Sequence, residues 1–168
     1  AAGTEKVSHD LIVPYIPNLR RYARALVGDR DAADDLVQDT LERAMRKFHL
    51  WRPGNLRAWL FSIMHNVFVN QLKSRSLAPT AELDENFPGA TTPDWVTDVR
   101  DLDRALATLA AEQREVVLMV SLEDMSYEEV SRALGVPIGT VRTRIFRARE
   151  FIAQRLEPVV GHQRPRRW

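Results

Sequence analysis

The stretch Ser126-Tyr-Glu-Glu-Val-Ser-Arg-Ala-Leu-Gly-Val-Pro-Ile-Gly-Thr-Val-Arg-Thr-Arg-Ile-Phe-Arg-Ala-Arg149 constrains the fold of this chain more than any other. Ser126 followed by Glu129 is a capping box, in which each side chain satisfies a backbone N–H of the other and so starts a helix. Val130 and Leu134 lie four apart, on one face of that helix. Gly135 stands where a helix stop calls for a residue that tolerates positive φ. Pro137 suits the start of a following helix, where its missing N–H is not needed. Val141, Ile145, Ala148 and Ile152 then recur at four, three and four, which makes one buried helix face. The pattern predicts a helix, a tight turn and a second helix.

The opposite face of the second helix carries the chemistry. At about 100° per residue, Thr143, Phe146, Arg147 and Glu150 point away from Val141, with Arg142 and Arg144 on the flanks. Arginines alone would indicate no more than a solvated face paired to acids on its own helix. Together with the capping box, the glycine turn and the apolar frame, they indicate a helix-turn-helix that reads the DNA major groove. There an arginine bonds guanine bidentately or takes a phosphate, and a phenyl ring lies against a thymine methyl.

The length of 168 residues suits one ordinary domain or two small ones. No apolar run approaches the roughly 20 residues of a membrane span, and the polar residues 1–10 show no secretory signal. The absence of cysteine removes disulfides, thiolate zinc sites and cysteine nucleophiles, and fits a cytoplasmic protein. The net charge of +1 hides a segregated pattern. Residues 1–75 carry 12 Lys and Arg against 8 Asp and Glu, residues 76–109 carry 2 against 7, residues 110–137 carry 2 against 6, and residues 138–168 carry 8 against 2. Such segregation supports a polyanion-binding surface better than the total does. The histidines, His9, His49, His65 and His162, are scattered, and no zinc-protease, Walker or nucleophile-elbow motif occurs. Nothing calls for catalysis, a metal or a cofactor.

Ahead of the helix-turn-helix the periodicity predicts an all-α chain without strands. Residues 10–28 read as a helix with Leu11, Tyr15, Leu19, Tyr22 and Leu26 inward and Gly28 as its stop. Residues 30–49 read as a longer helix, with Ala33, Leu36, Val37, Thr40, Leu41, Ala44, Met45 and Phe48 as a wide apolar stripe. Its other face carries Asp34, Asp35, Gln38, Asp39, Glu42 and Arg43; on local grounds this is solubility and support for the helix dipole. Trp51-Arg-Pro-Gly-Asn55 is a break. Residues 56–74 are helical again, with Leu60, Ile63, Val67 and Leu72 as a core face. This helix also carries Trp59, Phe61, His65, Asn66, Phe68, Asn70, Gln71, Lys73 and Arg75. Aromatic rings, amides and cations in one segment suit a single-strand or flipped-base reader, although Trp59 and Phe61 fit a core equally well. Residues 76–98, with Pro79, Pro88, Gly89 and Pro93, five acids and no Lys or Arg, read as an extended acidic linker. Helices resume at about 99–109 and 112–122. The last helix is expected to run to about Leu156, where Pro158 ends it, and Gly161–Trp168 reads as a disordered basic tail.

Three blocks taken together resemble an RNA polymerase sigma factor of the extracytoplasmic-function group, over about residues 10–157. Asp31-Ala-Ala-Asp-Asp-Leu-Val-Gln-Asp-Thr-Leu-Glu-Arg-Ala44 resembles the segment that docks on the clamp coiled coil of the polymerase's largest subunit. Arg57-Ala-Trp-Leu-Phe-Ser-Ile-Met-His-Asn66 resembles the segment that melts and reads the minus-10 element. The helix-turn-helix resembles the minus-35 reader. The resemblance implies two small helical domains, region 2 over residues 8–75 and region 4 over residues 99–158, joined by the linker. It implies polymerase contacts at Asp35, Leu36, Gln38, Asp39 and Glu42. Minus-10 contacts fall at Trp59, Asn66, Asn70, Lys73 and Arg75, with Asn66 in a loop that captures a flipped base. Minus-35 contacts fall at Arg142, Thr143, Phe146 and Arg147, with Arg114 and Tyr127 near phosphate. His65, Val67 and Val69 depart from the family's pattern. The implied partners are polymerase core, promoter DNA and an anti-sigma factor, with no membrane contact and no need of a homo-oligomer. Two other readings remain at this point. One is a stand-alone helix-turn-helix regulator, in which the aromatic, Asn-rich helix has no task; the other is a sigma mimic that binds the inhibitor but no promoter.

Overall fold

Pro14 and Pro17 divide the first expected helix. In a computed structural model of the chain, α1 spans Ala2–Ile12, a single 3-10 turn covers Val13–Tyr15, and α2 spans Ile16–Val27. Each proline lacks the N–H that an uninterrupted helix would need. The turn shifts the apolar phase by one residue, so Ile12 is buried and Leu11, expected inside, is exposed. The described residues are 2–77 and 97–160, with side-chain surroundings described for 2–75 and 102–155. The expected linker conformation, for nearly all of residues 76–98, and the expected disordered tail lie outside them.

Gly28 closes α2 at φ 77°, its N–H donating to Arg24 O at 2.9 Å. Asp29 opens α3, Arg30–Lys47, by accepting from the Ala32 N–H at 3.0 Å. A 3-10 turn at Phe48–Leu50 leads to α4, Leu56–Leu77, whose first turn is capped by Asn55 Oδ1 accepting from the Ala58 N–H at 3.0 Å. Then follow α5, Thr97–Thr108, α6, Ala111–Ser121, α7, Tyr127–Leu134, and α8, Ile138–Val160. The described residues contain no strand, in keeping with the all-α class. The α7–α8 turn is the expected one. Ser126 Oγ accepts from the Glu129 N–H at 3.1 Å, Glu129 Oε1 accepts from the Ser126 N–H at 3.4 Å, and Gly135 sits at φ 65°. Helix α8 continues past Pro158 to Val160, because a proline in the last turn removes a single intrahelical bond close to an end that is already short of partners.

Two helical bundles result. In the first, Leu19, Tyr22 and Leu26 of α2, Leu36 and Val37 of α3, and Leu60, Phe61, Met64 and Val67 of α4 are buried together. Tyr22 and Phe61 meet edge to face at 5.0 Å. Leu72, expected in the core, is exposed near the end of α4. In the second, Val116 and Met119 of α6, Val130 and Leu134 of α7, and Val141 and Ile145 of α8 form the core. The two bundles are packed against each other, α4 on α7 and α2 on α6, and the buried cluster runs through both.

Candidate nucleic-acid and partner interfaces

Burying Val141, Ile145 and Ala148 turns the opposite side of α8 to solvent. Arg142, Thr143, Phe146 and Arg147 are all exposed there, Phe146 by 62%. Thr143 donates its hydroxyl to Gly139 O at 3.0 Å. Arg144 is drawn sideways to Glu112 at 3.7 Å and so leaves this face. An exposed phenyl ring between two unburied guanidinium groups, near a helix start, is a surface that can read base edges and hold phosphates.

On α3, Asp35, Gln38, Asp39 and Glu42 form an exposed acidic face, where Gln71 Nε2 reaches Asp39 at 3.5 Å. Leu36, expected among these contacts, is fully buried. It lies on the side of α3 that faces the core, so it supports the acidic face from beneath and cannot touch a partner. On α4, Asn66, Asn70, Lys73 and Arg75 are exposed. Asn66 was expected in a loop but lies mid-helix, since no glycine or proline interrupts residues 56–77. Trp59 is half-buried and meets Phe48 edge to face at 6.3 Å, while Phe61 is wholly inside. Of the two open alternatives, Phe61 is core and Trp59 is at the rim.

Arg114 is where structure and expectation part most. Its Nε donates to Leu106 O at 2.8 Å, its Nη2 to Ala107 O and Leu109 O at 2.8 and 2.9 Å, and its Nη1 to Leu26 O at 2.9 Å. The guanidinium thus gathers the free carbonyls at the ends of α5 and α2, and burial pulls its pKa down. These four bonds leave one of its five N–H donors uncommitted. Tyr127 is half-buried against the core.

The seam between the bundles holds groups that sequence reasoning passed over. Glu115 and Glu123 are each only 3% exposed. His65 Nδ1 pairs with Glu115 Oε2. Arg21 places Nε and Nη2 on the two oxygens of Glu123 at 3.2 and 3.1 Å. Arg57 grips Glu129 with Nη2 at 2.9 Å and Nε at 3.2 Å, donates Nη1 to Glu123 O at 3.2 Å, and is joined by Asn55 Nδ2 on Glu129 at 2.9 Å. Desolvation pushes the Glu129 carboxyl up, but the bonds from Asn55, Arg57 and the Ser126 N–H, with the charge of Arg57, outweigh it and leave its pKa below the ordinary value. The Tyr22 hydroxyl is buried among these groups without a hydrogen-bond partner; burial and then the fields of Glu115 and Glu123 raise its pKa well above the ordinary value. One sequence signal was available. Glu115 shares the phase of Leu118, Met119 and Leu122, so an acid occupies an apolar position of α6.

Comparison with known proteins agrees with this fold. The family model described as the Sigma2 domain of PhyR matches residues 12–65, and that described as Sigma-70, region 4 matches residues 100–152. The chain is 34% identical over 151 residues to the ECF RNA polymerase sigma factor EcfG of Rhodopseudomonas palustris, over 86% of this chain and 82% of that one. It is 34% identical over 156 residues to the ECF RNA polymerase sigma factor SigM of Mycobacterium tuberculosis, over 92% and 80%. The sigma factor RpoE of Bartonella quintana, solved with the anti-sigma factor NepR, superposes with a TM-score of 0.71 at 31% identity, over 88% of this chain and 95% of that one.

Proposed function

The chain belongs to the extracytoplasmic-function family of RNA polymerase sigma factors, and from that premise we propose that it binds polymerase core and directs initiation at promoters, working in the cytoplasm as a non-catalytic subunit. The exposed Arg142–Thr143–Phe146–Arg147 face carries this reading, because a helix-turn-helix serving only as a scaffold has no need of an uncovered phenyl ring flanked by cations. These residues read minus-35 duplex. Asn66, Asn70, Lys73 and Arg75 take the minus-10 strand, with Trp59 at the rim, and Asp35, Gln38, Asp39 and Glu42 meet the polymerase. Tyr127, at the head of α7, lies close to the duplex backbone. An anti-sigma factor is the expected inhibitor, as NepR is for the Bartonella relative. Among the described residues no helix is long and apolar enough to cross a membrane.

A second reading has one observation in its favour: the first half matches the sigma-like domain of PhyR. A sigma mimic would bind the inhibitor and leave promoters alone. Run-off transcription with bacterial polymerase core on fragmented genomic DNA separates the two. The sigma reading expects start sites at one promoter class. It also expects Arg147→Ala to cost about 1–3 kcal/mol of minus-35 discrimination if the residue reads a base, or to weaken binding evenly across sequences if it holds phosphate. Core binding without any transcript would establish the mimic.

A further inference from the structure

Arg142, Arg144 and Arg147 all stand near the start of α8, and only Arg144 is claimed by an acid. Its Nη2 lies 3.7 Å from Glu112 Oε2, in the first turn of α6, whereas among the described residues Arg142 and Arg147 have no acidic partner. We propose that Glu112 is a specificity-determining residue of the minus-35 surface: it competes with the DNA backbone for Arg144 and so holds down sequence-independent binding. The inference rests on the sigma-factor reading and adds to its minus-35 face a residue from outside the helix-turn-helix.

Position carries the first half of the argument. At about 100° per residue, Arg144 falls about 60° from Arg147, on the flank of the reading face. A helix seated in the major groove turns its flanks toward the sugar-phosphate walls, so a cation there meets phosphate rather than a base edge. Such a contact adds affinity without sequence information. Glu112 stands on the same side. With Ala110, Gly139, Thr143, Arg144 and Arg147 it lines an open hollow of about 300 Å³ between the first turns of α6 and α8.

Energetics carries the second half. The Glu112 side chain is 73% exposed and that of Arg144 23%. An ion pair so open to water adds little to stability, and α6 is held to α8 by Val116, Met119, Val141 and Ile145 instead. An acid in a first turn also favours the helix dipole, and α6 has no side-chain cap, but that role leaves Arg144 out. The charge balance matters most toward DNA. With the carboxylate in place the flank offers the backbone no net charge; without it, one cation is freed for a phosphate. On a non-specific duplex nothing else fixes the pose, so the chain settles where phosphates are best met and uses the freed arginine fully. On a minus-35 duplex base contacts fix the pose, and the gain is smaller.

The test uses the full chain with Glu112→Gln, Arg144→Ala and the double variant, each checked for helix content by circular dichroism. Fluorescence anisotropy reads binding across a salt series, on a random-sequence duplex and on one carrying the minus-35 element of the mapped start sites. Glu112→Gln should raise affinity for the random duplex about three- to ten-fold at low salt and steepen the slope of log affinity against log salt by about 0.9, the value for one more neutralised phosphate. The gain on the minus-35 duplex should be smaller, so the specificity ratio falls. The double variant should show no gain over Arg144→Ala. An unchanged salt slope, a gain that survives without Arg144, or equal gains on the two duplexes would each overturn the assignment. A role confined to the helix dipole would shift the melting temperature and leave the slope alone. Equal binding of both duplexes by the wild type would overturn the minus-35 reading itself, while the slope still judges the hold of Glu112 on Arg144.

Discussion

The interior of the first bundle and the seam between the bundles are both buried, yet they are built from different materials. Inside the bundle, Leu19, Leu26, Leu36, Leu60 and Phe61 are at most 1% exposed and meet apolar neighbours. Across the seam, Arg21, Arg57 and His65 meet Glu123, Glu129 and Glu115. Parting apolar surfaces exposes hydrocarbon at every point of contact. Parting these pairs exposes groups that water accepts, which offsets much of their lost attraction, while the apolar cluster that runs through both bundles adds its own cost to parting them. The first material makes a body and the second makes a joint.

The largest effects should come from the bodies. Phe61→Ala leaves a cavity in the first bundle and should cost about 3–5 kcal/mol, and Ile145→Ala should cost about 2–5 kcal/mol in the second. Urea unfolding measures both. If Ile145→Ala proves harmless, the assignment of the inner and outer faces of α8 is wrong, and the reading surface with it.

A break in the joint should be milder. Arg57→Ala strips Glu129 of its bidentate partner and should cost about 1.5–3 kcal/mol, the range for hydrogen bonds to charged groups. The Ser126 cap stays in place, so helix content by circular dichroism should not fall. A loss as large as that of Phe61→Ala, with loss of helix, would show the seam to be part of one core and remove the distinction drawn above.

The bodies were legible in the sequence and the joint largely was not. Helix periods, the capping box and Gly135 are local signals, and the structure follows them at Gly28 and from Ser126 to Gly135, with a shift at Pro14 and Pro17. The outward face of α8 was also legible, because burying Val141 and Ile145 leaves Phe146 one place to go. Leu36 was misassigned because it lies among acidic contact candidates in sequence, while its side chain is fully buried in the core. Arg114 was expected near phosphate, and its partners here are carbonyls of Leu26, Leu106, Ala107 and Leu109. No side-chain pattern announces a backbone acceptor, least of all one 88 residues away. The three side-chain pairs join residues 50 to 102 positions apart, a separation at which one sequence carries no pairing signal.

The smallest effect, and the one that tells the two materials apart without a mutation, is the response to pH. Glu129 is held below the ordinary glutamate value by Asn55, Arg57 and the Ser126 N–H, against its own desolvation. A depressed carboxylate adds stability that is present above the unfolded value, about 4.3 for glutamate, and is lost as pH falls through the folded value. The seam should therefore loosen below that range, and a dye pair across it should report separation before the bundles unfold. Tyr22 has the opposite sign. Burial, then Glu115 and Glu123, raise its pKa, so its contribution is present below the unfolded value of about 10 and is lost as pH climbs from there toward the folded value. Tyr22 is fully buried against Phe61 in the first bundle, while the glutamates that raise its pKa stand in the second, so alkali should act on body and joint together where acid acts on the joint. Arg57→Ala should flatten the acid response and leave the alkaline one in place. Flattening of both together would mean that the two regions open as a single unit.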